Sequence, residues 1–155
     1  MFSTRKISYG GTAAVVTSAA LISGLGEAGA TRPVIVSALL IAALADNLTD
    51  ALSIHIFQES EHLAKREALA GTVSNFLARL LLCSTFIPLV WIFPLSYVQA
   101  AGVTWGISLL SVLTYLVARE RGANVATEIL KHLAVAVGII MISRTAGHWI
   151  SALLV

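Results

Sequence analysis

Apolar residues run in five blocks along this chain, each near the roughly 20 residues that a helix needs to cross a bilayer. The blocks fall at about Ile7–Leu25, Pro33–Ile56, Thr72–Phe93, Tyr97–Ala118 and Ile129–Leu153. The connections around Glu27–Arg32 and Pro94–Ser96 are short, whereas Gln58–Glu67 and Arg119–Lys131 carry most of the charge. This pattern predicts an all-α, polytopic integral membrane protein: a single domain over residues 1–155 with five transmembrane helices. The run Phe57–Glu67 has no Gly or Pro and is rich in helix formers. The second helix is therefore expected to project through it into the cytoplasm. Ser84 and Pro88 share the third block, where proline frees a carbonyl that a serine hydroxyl can satisfy.

The first block has two readings. Arg5 and Lys6 precede it and Glu27-Ala28-Gly29-Ala30 ends it, as in a signal peptide with a small-residue cleavage site. It is long, however, and is interrupted by Gly10, Gly11, Thr12, Thr17, Ser18 and Ser23. Gly10, Ala14 and Ser18 form a small-xxx-small ridge, which favours close helix packing in a membrane. The ridge predicts a homodimer through helix one.

Composition strengthens the membrane assignment. Of 155 residues, 57% are hydrophobic and 12% charged, where soluble domains run at about 25% charged. A net charge of +2 is too small and scattered to indicate nucleic acid. The lone Cys83 forms no internal disulfide and lies in an apolar run, where a packing role is expected. No zinc spacing, phosphate loop or nucleophile elbow occurs, so no enzyme is expected. With the N-terminus inside, the inner side holds Arg5, Lys6, Lys65, Arg66, Arg119, Arg121 and Lys131, and the outer side only Arg32 and Arg144. This bias predicts an N-in, C-out topology, and the expected location is a prokaryotic inner or cell membrane. Trp91, Tyr97, His148 and Trp149 read as outer interface anchors, and lipid is an expected neighbour.

Candidate chemistry centres on Asp46 and Asp50 in the second block. Insertion of a helix never requires a carboxylate at membrane depth, and each one costs a few kcal/mol. Spaced i, i+4, the two share a helix face about 6 Å apart along the axis, with Asn47 beside them. Ser53, Phe57 and Glu61 continue that face, and Glu61 lies about 16 Å beyond Asp50 by helical rise. Glu61 thus reads as an acidic gate at the water boundary; His55, Glu59 and His62 form a separate stripe on the far side, and Glu59, Glu61 and His62 are further possible metal ligands. Two readings of the aspartates remain open: an ion or proton site, or structural glue between helices. Arg79 makes the second serious. Segments two and three form an antiparallel hairpin with its midpoint near Leu63–Ala64, and equal rise places Arg79 at the depth of Asp50, one turn from Asn75. One arginine cannot neutralise two carboxylates.

The run Ala45-Asp46-Asn47-Leu48-Thr49-Asp50-Ala51-Leu52-Ser53-Ile54-His55, followed by Ser60-Glu61, resembles the second-helix pattern A-D-G-x-S-M-x-L-G-x-Y of the vacuolar iron transporter family. Tyr9-Gly10-Gly11, Val15-Val16-Thr17-Ser18 and Ser23-Gly24 are similar to that family's first-helix run, and Ile87-Pro88-Leu89 to its I-P-L. Glu128–Ile150 is similar to its closing helix. The family's first-helix aspartate falls on Ala13, the plant members' glutamate on Ala42 and its metal-binding methionine on Asp50, and the cytoplasmic metal-binding domain is reduced to Gln58–Glu67. The resemblance implies five spans, a homodimer, and export of Fe²⁺ or Mn²⁺ from the cytosol against protons, with no resident cofactor. The residues themselves favour Mn²⁺ or Fe²⁺ over copper or zinc, because both aspartates are hard oxygen donors. The competing function is a non-transporting helical assembly module or a degenerate relative of the transporters.

Overall fold

The computed structural model describes residues 4–60 and 65–154, apart from the side chains of residues 4–9, 59, 65, 67, 68 and 154. The described residues form helices: α1 (Thr4–Glu27), α2 (Arg32–Ile41), α3 (Asn47–Ser60), α4 (Lys65–Ser84), α5 (Ile87–Ile92), α6 (Leu95–Glu120) and α7 (Val125–Leu154). A π-helical stretch, Ala42–Asp46, joins α2 to α3 without a turn. Among the described residues, four helical stretches are long and apolar enough to cross a membrane: Arg32–Gln58, Leu69–Ile92, Leu95–Glu120 and Val125–Leu153.

Helix α1 is not among those four, and its place in the bundle supplies a physical reason. It packs against α4, α6 and α7, and of its described side chains only Ala13 is exposed. A helix enclosed by protein needs small side chains more than apolar ones, because backbones approach closely over them. Its partners answer in kind. Gly102 and Gly106 of α6 lie against Ile22 and Ala19. Gly147 of α7 lies on the Gly24 carbonyl, and Ser143 Oγ donates to the Ala20 carbonyl at 2.7 Å. Val15, Ile22, Ile35, Leu39, Phe86 and Val90 are all fully buried between these helices. Large apolar residues elsewhere, such as Leu81, Ile92, Ile142 and Leu153, face outward, as lipid contact demands.

The ridge Gly10, Ala14, Ser18 packs inside the chain, against α4. Gly10 abuts Asn75 and Arg79, Ala14 clusters with Ala43 and Cys83, and Ser18 Oγ donates to Cys83 Sγ at 3.4 Å. This corrects the expectation that the ridge is the surface offered to a second copy: its small residues serve the α1–α4 contact instead.

Helix α3 is described to Ser60 and α4 from Lys65; the stretch 61–64, over which the second helix is expected to continue, lies outside the described residues. One boundary also differs from the hydropathy pattern. The third block is broken at Thr85-Phe86, with Pro88 in the first turn of α5. Proline has no N–H to continue the ladder of α4 and fits the start of a helix instead. Ser84 Oγ donates to the Leu80 carbonyl at 2.7 Å and Thr85 Oγ1 to that of Leu82 at 2.7 Å, which satisfies the frayed end. At the same end of the bundle, Arg32 donates to the Phe93 carbonyl at 3.0 Å and Arg144 pairs with Glu27 at 2.8 Å. The anchor residues Trp91, Tyr97 and Trp149 are exposed.

Candidate functional site

Helix α4 carries a buried stripe at i, i+4 spacing, Gly71, Asn75, Arg79 and Cys83. Two of these four are strongly polar, and the stripe faces the α1 ridge and the acidic helix together. Arg79 is 4% exposed. An arginine so buried requires partners for its donors, and the π-helical junction with α3 supplies them.

Arg79 Nε donates to Asn47 Oδ1 at 2.7 Å. Its Nη1 donates to Asp50 Oδ2, and its Nη2 pairs with Asp46 Oδ2 at 3.2 Å. All three nitrogens of the guanidinium are thus engaged, each by a different residue of one helical turn. Asn47 is itself fixed, since its Nδ2 donates to the Ala43 carbonyl at 2.7 Å. That carbonyl lies in the π-helical stretch. Such stretches are rare and recur at functional sites. Gly10 completes the cluster from α1: a methyl group there would collide with Asn75 Oδ1 and come within 2.9 Å of Arg79 Cδ.

The cluster holds one formal positive and two formal negative charges. The excess negative charge is not sealed in. The Asp46 side chain is 56% exposed and that of Asp50 is 38% exposed, although both lie within the membrane-length stretch Arg32–Gln58. Asp50 also borders a cavity of about 540 Å³ between α3 and α4, with Ser53, Ile54, Phe57, Gln58, Gly71 and Asn75.

The structure therefore brings together Asp46, Asn47, Asp50 and Arg79. Glu61 and His62 lie outside the described residues, and the side chain of Glu59 is likewise not described. Among the described residues no group of three or more His, Cys, Asp or Glu side chains stands close enough to hold a metal ion. The sequence reading placed Arg79 opposite Asp50 but did not anticipate Asn47 as the acceptor for Nε, nor the packing of Gly10 on Asn75. The signal for Asn47 was present: positions 46, 47 and 50 span one turn, so a guanidinium reaching two of them reaches the third. Comparison of the chain with protein-family models, with curated proteins and with solved structures finds no match.

Proposed function

We propose that the chain is a membrane cation transporter whose ion site is Asp46 and Asp50, and that it exports Fe²⁺ or Mn²⁺ from the cytosol in exchange for protons. The observation that carries this reading is the excess carboxylate of the Arg79 cluster within a membrane-length helical stretch, with the Asp46 side chain exposed and Asp50 bordering the cavity between α3 and α4. A structural clamp needs one carboxylate per arginine. A second, half-exposed one at membrane depth is costly without a use. Both carboxylates are hard donors suited to Mn²⁺ or Fe²⁺, and the resemblance of Ala45–His55 to the iron transporters' second helix points to the same ions. Arg79 acts as the resident cation: an incoming ion displaces it from Asp50, and its return expels the ion. Asn47 holds Nε meanwhile, with Glu61 as the inner gate and Glu59 as a further ligand in this proposal.

Helix α1 serves as the fifth span in this proposal, its 24 residues covering about 36 Å. The N-terminus is cytoplasmic and the C-terminus outside, in a prokaryotic cell membrane. The exposed Asp46 supports a homodimer, because a second copy over that face removes a carboxylate from lipid.

A second reading is favoured by one observation: every nitrogen of the Arg79 guanidinium is already engaged, as in a permanent helix clamp. Flux into liposomes of Mn²⁺, Fe²⁺ and Co²⁺ under an imposed pH gradient separates the two. Transport by the wild type, lost in Asp46→Asn and Asp50→Asn variants that still fold, supports the transporter. Absence of flux with all three ions, or undiminished flux in both variants, leaves the clamp.

A further inference from the structure

A second cavity, also of about 540 Å³, lies where α1 ends and α6 begins, between Ser23 and Glu27 of α1, Ser96 and Gln99 of α6, and Arg144 of α7. Small-molecule sites run at about 300–1,000 Å³. The ion pair in its wall is only partly used. Arg144 Nε and Nη2 both donate to Glu27 Oε2, at 3.2 and 2.8 Å, instead of forming the parallel fork on two oxygens that arginine and carboxylate favour. Glu27 Oε1 and Arg144 Nη1 stay outside that pair, on side chains that are 28% and 47% exposed. Arg32, the other cation at this end, is taken up by the Trp91 and Phe93 carbonyls. The cavity therefore presents one negative acceptor and one positive donor, with the Gln99 carboxamide held along the wall against Gly26. On the far side of Ala100 and Thr104, which line both spaces, an apolar groove of about 430 Å³ runs along α6 past Phe93, Tyr97 and Trp105 to Ser108. From Tyr97 to Ser108 it covers about 16 Å by helical rise, about half of the roughly 30 Å hydrocarbon core.

We infer that the cavity and the groove together bind a phospholipid with a primary-ammonium headgroup, phosphatidylethanolamine, from the leaflet at this end of the bundle. The phosphate accepts from Arg144 Nη1, a donor suited to it, and the ammonium gives Glu27 Oε1 one of its three N–H groups. One acyl chain crosses the low ridge of Ala100 and Thr104 and lies in the groove against Tyr97 and Trp105. Phosphatidylcholine has no ammonium N–H to give Glu27, and phosphatidylglycerol has no positive charge to set against it. The inference needs only that these helices lie in a membrane, so it is independent of the transport reading.

Lipids brominated on their acyl chains test the site, because bromine quenches tryptophan emission only at short range. In a Trp91→Phe/Trp149→Phe variant the remaining tryptophan, Trp105, lines the groove. Brominated phosphatidylethanolamine, phosphatidylcholine and phosphatidylglycerol are compared at equal mole fraction in vesicles of unbrominated phosphatidylcholine. Quenching should report phosphatidylethanolamine bound about fivefold more strongly than either of the others, the scale of a partly exposed ion pair. Glu27→Gln or Arg144→Gln should bring the three lipids to parity. Trp149 in a Trp91→Phe/Trp105→Phe variant lies away from the groove and should show no preference. Equal quenching of Trp105 by the three lipids, or a preference that both Gln variants keep, overturns the site. Stronger quenching by phosphatidylglycerol overturns the part given to Glu27 and the proposal with it. Failure of every brominated lipid to quench Trp105 means that protein covers the groove, a second copy included, and overturns it equally. Relief of quenching by soluble glycerophosphoethanolamine at equal mole ratio would show that the polar cavity suffices and overturn the lipid as occupant. Should the tryptophan variants not fold, native mass spectrometry of the wild type with each lipid added decides by the same ranking.

Discussion

Replacing Asp50 with Asn keeps the volume and an acceptor for Arg79 Nη1 but removes the charge. Arg79 is 4% exposed, so its charge is scarcely hydrated and depends on its three partners. Removing one partner of a buried pair costs about 3–5 kcal/mol when nothing else remains. Here Asp46 stays at 3.2 Å and Asn47 at 2.7 Å, which brings the expected loss for Asp50→Asn to about 2 kcal/mol, the range of a charge-assisted hydrogen bond. Asp46→Asn should cost about 1 kcal/mol or less, because the Asp46 side chain is 56% exposed and solvent-exposed pairs contribute little. A double-mutant cycle of Asp50→Asn with Arg79→Gln should therefore show a coupling of about 2 kcal/mol, roughly 30-fold in the folding equilibrium. Reversible unfolding in mixed dodecylmaltoside and sodium dodecyl sulfate micelles, followed by tryptophan fluorescence, measures it. A coupling below about 0.5 kcal/mol, at the level of exposed pairs, or a larger coupling for Asp46 than for Asp50, would refute the argument that burial of Arg79 sets the strength of the cluster.

Further outcomes are expected. Asn75→Leu removes a buried amide that has no hydrogen-bond partner among the described residues and should leave stability within about 1 kcal/mol of wild type in the same unfolding assay; a loss of several kcal/mol would show that the amide is bonded in the folded protein. Gly10→Ala pushes a methyl into Asn75 and Arg79 and should cost about 1–3 kcal/mol by overpacking, read in the same unfolding assay. Ala14→Phe, at a site 1% exposed beside Ala43 and Cys83, should destabilise the single chain rather than only separate two copies, which unfolding combined with size analysis distinguishes. In the native membrane, a C-terminal tag should be accessible only from outside, and a cytoplasmic C-terminus would overturn the proposed topology.

Four of the five apolar blocks correspond to membrane-length helical stretches, and these and the candidate acids were legible in the sequence, because lipid imposes a one-dimensional rule: about 20 apolar residues per crossing, with any carboxylate inside such a run exceptional. Equal rise along an antiparallel hairpin also put Arg79 level with Asp50, since depth in a membrane is a matter of counting residues. What residues meet around a helix is not. Hydropathy cannot reveal that Gly10, Ala14 and Ser18 are covered by α4 of the same chain, because a small-residue ridge fits any close neighbour, a second copy or another helix alike. The π-helical turn at Ala42–Asp46 has no composition of its own, yet it leads directly into the turn whose Asn47 and Asp50 meet Arg79. The break before Pro88 was partly readable, but its position at Thr85-Phe86 depended on Phe86 burying itself completely. Above all, an asparagine in a membrane helix looks the same in sequence whether it is bonded or not. Only the tertiary packing of α1 and α3 around α4 left Asn75 buried against Gly10, with no hydrogen-bond partner for its amide among the described residues.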